Sequence, residues 1–72
     1  MTSDIGIRLA KRLKALREDR GWTQEDAARK CKMEYKYYQR YESKNPRDMR
    51  LSTLEKIAKA FGMESNDLIT FK

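Results

Sequence analysis

The run Gln24-Glu25-Asp26-Ala27-Ala28-Arg29-Lys30-Cys31-Lys32-Met33-Glu34-Tyr35-Lys36-Tyr37-Tyr38-Gln39-Arg40-Tyr41-Glu42-Ser43 holds two short helical patterns parted by a tight turn. Thr23 precedes the first as an N-cap, its hydroxyl placed to accept a first-turn amide, with Asp26 in the capping-box position. Glu25 and Asp26 suit the positive end of that helix, which should end near Cys31. Lys32-Met33-Glu34 forms the turn, and the next helix runs over residues 35–42. Two helices joined so closely can cross only if the first carries a small residue at the crossing, and Ala28 sits there. Cys31, Met33, Tyr38 and Tyr41 supply the apolar side of the junction.

Working outward, the flanking segments are also helical. Ile5, Leu9, Leu13 and Leu16 make one apolar stripe, capped at its start by Ser3 or Asp4 and stopped by Gly21. Lys11, Arg12 and Lys14 lie on the opposite, solvated face. Trp22 is placed to pack over Ala27 as a hydrophobic staple. Residues 43–50 are a polar loop with the turn signal Asn45-Pro46. Ser52 and Glu55 read as the capping box of a fourth helix that buries Leu54, Ile57, Ala58 and Phe61 and ends at Gly62. Ser65 reads as the cap of a short fifth helix presenting Leu68 and Ile69. The expectation is an all-α fold of five helices in one domain, residues 1–72, around a central helix-turn-helix unit at 24–43.

Size and charge narrow the function. A chain of 72 residues buries only roughly 60% of its unfolded surface, so ligands are expected on its outside. Its 17 Lys and Arg against 11 Asp and Glu give a formal charge of +6, which favours a polyanion, either nucleic acid or an acidic membrane face. One cysteine and no histidine exclude an internal disulfide and a zinc site of the usual kind. No run of apolar residues approaches a membrane span, and the polar N-terminus lacks a signal-peptide core, so a cytoplasmic protein is expected. No nucleophile-base pair and no glycine-rich phosphate loop is visible, so neither an enzyme nor a cofactor or small-molecule substrate is expected.

The order of these features resembles the lambda and 434 repressor and Cro family of helix-turn-helix DNA-binding domains. The resemblance spans residues 9–69 and rests on Leu16-Arg17-Glu18, Gly21-Trp22-Thr23-Gln24-Glu25, Ala28, the Tyr38/Tyr41 pair, Glu42, Asn45-Pro46 and Leu54-Glu55-Lys56-Ile57-Ala58-Lys59-Ala60-Phe61-Gly62. It implies a transcriptional regulator that reads double-stranded DNA with the helix at 35–42 in the major groove. This chain departs from the family pattern at Lys32, where Gly is usual, and at Ala27, Tyr38 and Tyr41, where aliphatic residues are usual. Small residues on the second helix leave room for large rings on the third, a volume-conserving exchange.

With Tyr38 and Tyr41 inward, a 100° step per residue turns Lys36, Gln39, Arg40 and Ser43 outward and leaves Tyr35 and Tyr37 on the flanks. The resemblance implies base contacts from Tyr35, Lys36, Gln39 and Arg40: Arg or Lys to guanine, Gln to adenine, a tyrosine ring on a thymine methyl. Backbone contacts are expected from Gln24, Tyr37, Ser43, Lys44 and Arg47. Arg17 and Glu42 are expected to pair and hold the third helix in place. Glu34 stands where the family has a Ser or Thr cap and is read as complementing the helix start. A homodimer is a further expectation, with Leu68, Ile69 and Phe71 as the surface, although the same residues could simply close the core. The competing function is a protein-interaction module on the same fold, such as an antitoxin-like partner, marked by an exposed apolar patch away from the third helix. A restriction-modification controller is a subtype of the regulator reading.

Overall fold

A computed structural model describes residues 4–44, 46 and 49–70. Five helices follow in order: α1 (Asp4–Asp19), α2 (Gln24–Lys30), α3 (Tyr35–Tyr41), α4 (Leu51–Ala60) and α5 (Ser65–Leu68), with no strand among the described residues. The core draws on every helix: Leu13 from α1, Ala27 and Ala28 from α2, Tyr38 from α3, Leu54, Ile57 and Ala58 from α4, and Leu68 from α5. Cys31 and Phe61, each the residue that closes a helix, complete it. α3 thus rests on a platform made mostly by its neighbours.

Three helices stop by the same hydrogen-bond pattern. After α1, Trp22 N–H donates to the Arg17 carbonyl (3.1 Å) and Gly21 N–H to the Glu18 carbonyl (3.0 Å). After α4, Met63 N–H donates to Ala58 (2.8 Å) and Gly62 N–H to Lys59 (3.0 Å). After α2, Met33 N–H donates to Ala28 (3.0 Å) and Lys32 N–H to Arg29 (3.1 Å). This is the Schellman arrangement, which needs a left-handed residue just past the cap. Gly21 (φ 70°) and Gly62 (φ 72°) fill that position without strain, and Lys32 fills it at φ 56°. A side chain there costs roughly 1–2 kcal/mol, part of which glycine returns as entropy in the unfolded chain. Lys32→Gly is therefore expected to stabilise the domain by about 1 kcal/mol. A thermal melt should show Tm rising by several degrees, and an unchanged or lower Tm would count against strain in the turn.

Some local expectations shift. Ile5 is exposed, and the buried side of α1 is centred on Ala10 and Leu13, with Leu9 and Leu16 half-buried. Arg12 leaves the solvated face: its Nη2 donates to the Asp67 carbonyl at 3.0 Å, tying α1 to α5. Trp22 packs against the core cluster that holds Ala27 and also stacks on Phe61 (centroids 5.3 Å apart), a partner the sequence does not indicate. The Arg20 guanidinium lies over both rings and donates to the Phe61 carbonyl at 2.7 Å. The Thr23–Asp26 capping box forms as expected, Asp26 N–H donating to Thr23 Oγ1 (3.1 Å) and Thr23 N–H to Asp26 Oδ2 (3.0 Å). Those bonds, the Thr23 amide first, hold the Asp26 carboxyl below its ordinary pKa. The other expected caps do not form. Arg50 is the N-cap of α4, which puts Ser52 inside the first turn, where its hydroxyl is out of register for a capping box. Glu64 is the N-cap of α5, so Ser65 is already helical. Leu68 is fully buried, which takes it out of any self-association surface; Ile69 is partly exposed and Phe71 lies outside the described residues.

Candidate nucleic-acid interface

α3 is seven residues long and divides sharply. Tyr38 is completely buried against the small side chains of α2, while Tyr35, Lys36, Tyr37, Gln39 and Arg40 are exposed. Tyr41 is half-buried against the core. The side facing solvent carries two cations, one amide and two phenols, and no carboxylate. At 1.5 Å per residue the helix is about 10 Å long, short enough to lie across a groove.

Glu34 is the N-cap of α3 by backbone conformation, yet its side chain makes no capping hydrogen bond. Its carboxylate is exposed, with Oε2 3.7 Å from Lys36 Nζ, so it stands at the helix start as expected but without a capping hydrogen bond. Lys36 Nζ also lies 5.5 Å from the centre of the Tyr37 ring.

The C-terminal end of α3 is fastened more firmly. Arg17 Nε donates to Glu42 Oε2 at 2.8 Å and Nη2 to Oε1 at 3.1 Å, a two-pronged bridge from α1 to the residue that closes α3. Arg17 Nη1 donates to the Trp22 carbonyl at 2.7 Å, just ahead of α2. The Glu42 side chain is 1% exposed and that of Arg17 11%. The hydrogen bond to Glu42 pushes the Arg17 pKa above its ordinary value, so the guanidinium keeps its charge. Gln24, the first residue of α2, extends the chain of contacts: its Nε2 donates to Glu42 Oε1 (3.3 Å), and its Oε1 accepts a long bond from the Tyr35 hydroxyl (3.5 Å). One string of polar contacts thus runs from Arg17 through Glu42 and Gln24 to Tyr35. The sequence identifies its members separately, but the Gln24 links join residues 18 and 11 positions apart and depend on how α2 and α3 cross.

The remaining expected residues separate. Ser43 is exposed, but its hydroxyl donates to the Arg40 carbonyl at 2.7 Å, so its proton is already engaged in closing α3. Lys44 is exposed; Arg47 lies outside the described residues. Cys31 is buried and burial pushes its thiol up to about 11, which keeps it protonated and inert. Among the described residues no group of three or more His, Cys, Asp or Glu is placed to hold a metal ion, and no helix is long and apolar enough to cross a membrane.

A family model described as helix-turn-helix matches residues 13–68, which include all of α2 to α5. The chain belongs to the helix-turn-helix family. Its similarity to the Cro/C1 type agrees with the resemblance read from the sequence. Two solved structures are similar in shape. A hypothetical transcription factor, NHTF, from Neisseria superposes with a TM-score of 0.85 at 31% identity, over 93% of this chain and 76% of that one. A point mutant of the restriction-modification controller protein C.Esp1396I gives a TM-score of 0.83 at 26% identity, over 94% of this chain and 85% of the other. No curated protein matches the sequence.

Proposed function

We propose that this chain is a transcriptional regulator that binds double-stranded DNA sequence-specifically, with α3 in the major groove. The observation that carries the reading is the division of α3: a buried Tyr38 beneath, and Tyr35, Lys36, Gln39 and Arg40 presented to solvent on a helix braced from both neighbouring helices. Family membership supports it, as do the two similar structures, a transcription factor and a controller protein. Tyr35, Lys36, Gln39 and Arg40 are assigned to base edges. Gln24, Tyr37 and Lys44 are assigned to phosphates; Ser43 joins them only if its hydroxyl turns away from the Arg40 carbonyl, and Arg47 is assigned from the resemblance alone. The Gln24 amide keeps one N–H beyond the bond to Glu42, and that hydrogen serves a phosphate oxygen. Large apolar side chains exposed away from α3 are Ile5, Leu51 and Ile69. They belong to three different parts of the chain, α1, α4 and the end of α5.

Selection from random duplexes, followed by salt titration of the best site, tests the proposal. The expected result is one preferred motif and an affinity that falls steeply with salt. Binding without preference would overturn sequence specificity, and no binding would overturn the DNA reading. Arg40→Ala is expected to weaken the selected site by about 1–3 kcal/mol and to relax preference at one base pair. An equal loss on every duplex would reassign Arg40 to the backbone; no loss would remove it from the site.

A further inference from the structure

A shallow groove opens between α1 and the end of α3, floored by Ile7 and Ala10 and rimmed by Lys11, Lys14, Ser43 and Lys44. The three lysines are exposed, and none makes an ion pair among the described residues. Glu42 lies at its base, but Arg17 holds both of its carboxylate oxygens. The unmatched charge in the groove is therefore three ammonium groups. Ser43, the residue at this end with a neutral donor, has its hydroxyl turned to the Arg40 carbonyl. The groove adjoins the residues that follow α3, so it continues the surface proposed for DNA.

We infer that Lys11 and Lys14 of α1, with Lys44, form a second phosphate clamp on the DNA backbone beside the C-terminal end of α3. The inference rests on the DNA reading and extends it. Gln24 grips the backbone near the start of α3, and the lysine groove grips it at the other end, so α3 is seated between two sequence-independent contacts. Lysine suits such a grip, because its ammonium is a point charge that follows a phosphate without demanding one geometry.

The test uses the whole chain and its selected duplex. Each phosphate contact contributes about 0.9 to the slope of log affinity against log salt, so K11Q/K14Q should flatten that slope by about 1.8. Between about 50 and 200 mM salt the wild type then loses roughly ten-fold more affinity than the variant. The preferred motif should not change, because phosphates carry no sequence. K56Q/K59Q on α4, which removes the same charge from a separate recess, is the control and should keep the wild-type slope. A wild-type slope in K11Q/K14Q overturns the clamp while leaving the DNA reading standing. An equal change in the control also overturns it, since net charge alone then explains the effect. If the wild type itself binds no duplex, the DNA reading fails and the clamp with it.

Discussion

Arg17→Ala is expected to cost the fold about 3–5 kcal/mol, the range for removing one partner of a buried ion pair. The Glu42 carboxylate is almost wholly enclosed, and two of its three side-chain hydrogen bonds come from Arg17. Without the guanidinium it keeps one bond of 3.3 Å from a neutral amide, and the Trp22 carbonyl loses its 2.7 Å donor as well. Domains of this size hold about 4–11 kcal/mol in all, so the variant should unfold at much lower urea and melt more than about 10 °C lower. Replacing both residues by methionine should cost less than Arg17→Ala alone, because it leaves no stranded charge. A urea titration of the single and double variants decides the matter. A loss below about 1 kcal/mol for Arg17→Ala would place the pair among exposed bridges that contribute little.

That pair was legible in the sequence only through the family resemblance; nothing in residue spacing brings position 17 to position 42. Helix extents were legible for a different reason. The apolar period sets the buried face, and Gly21 and Gly62 announce left-handed stops that a side chain would strain. Lys32 could be flagged from sequence because it stands in the same kind of position. Caps were less legible at Ser52 and Ser65, where a shift of two residues and of one moves a hydroxyl from the cap into the helix. The capping box at Thr23 formed because there the helix starts in the register that the motif requires. The long-range partners of Arg12 and Trp22 were not legible for a third reason. Each side chain is amphipathic, and its partner, the Asp67 carbonyl or the Phe61 ring, lies far along the chain, so local pattern cannot place it. The outward residues of α3 were the most legible part of the candidate site, since one buried tyrosine fixes the rotation of a short helix.

Tyr38 itself gives the sharpest separation between a ring and its hydroxyl. Its side chain is fully buried among Ala27, Ala28 and Cys31, and its hydroxyl has no hydrogen-bond partner of acceptable geometry. Tyr38→Ala removes the plug under α3 and is expected to cost about 3–5 kcal/mol. DNA binding should fall with stability, because the outward face of α3 then has nothing to rest on. Tyr38→Phe keeps the ring and removes only the oxygen. Burying an unpaired hydroxyl costs about 1–3 kcal/mol, so this variant should be at least as stable as the wild type and should select the same duplex motif. A loss of about 1 kcal/mol or more would show that the hydroxyl has a working partner, with the nearby Glu42 carboxylate the group to examine. Alkaline titration supplies an independent check. Burial first, then Glu42, raises the Tyr38 pKa above its ordinary 10.0. A group raised in this way favours the folded state fully below the unfolded value and loses that contribution as pH climbs toward the folded one. Wild-type stability should therefore decline above about pH 9, where Cys31, raised from 9.0 to about 11, begins to contribute, and more steeply above about pH 10, where Tyr38 does; Tyr38→Phe should lose the second part. Identical alkaline profiles for the two proteins would mean that the hydroxyl is open to solvent and that α3 is seated less deeply than the fold requires.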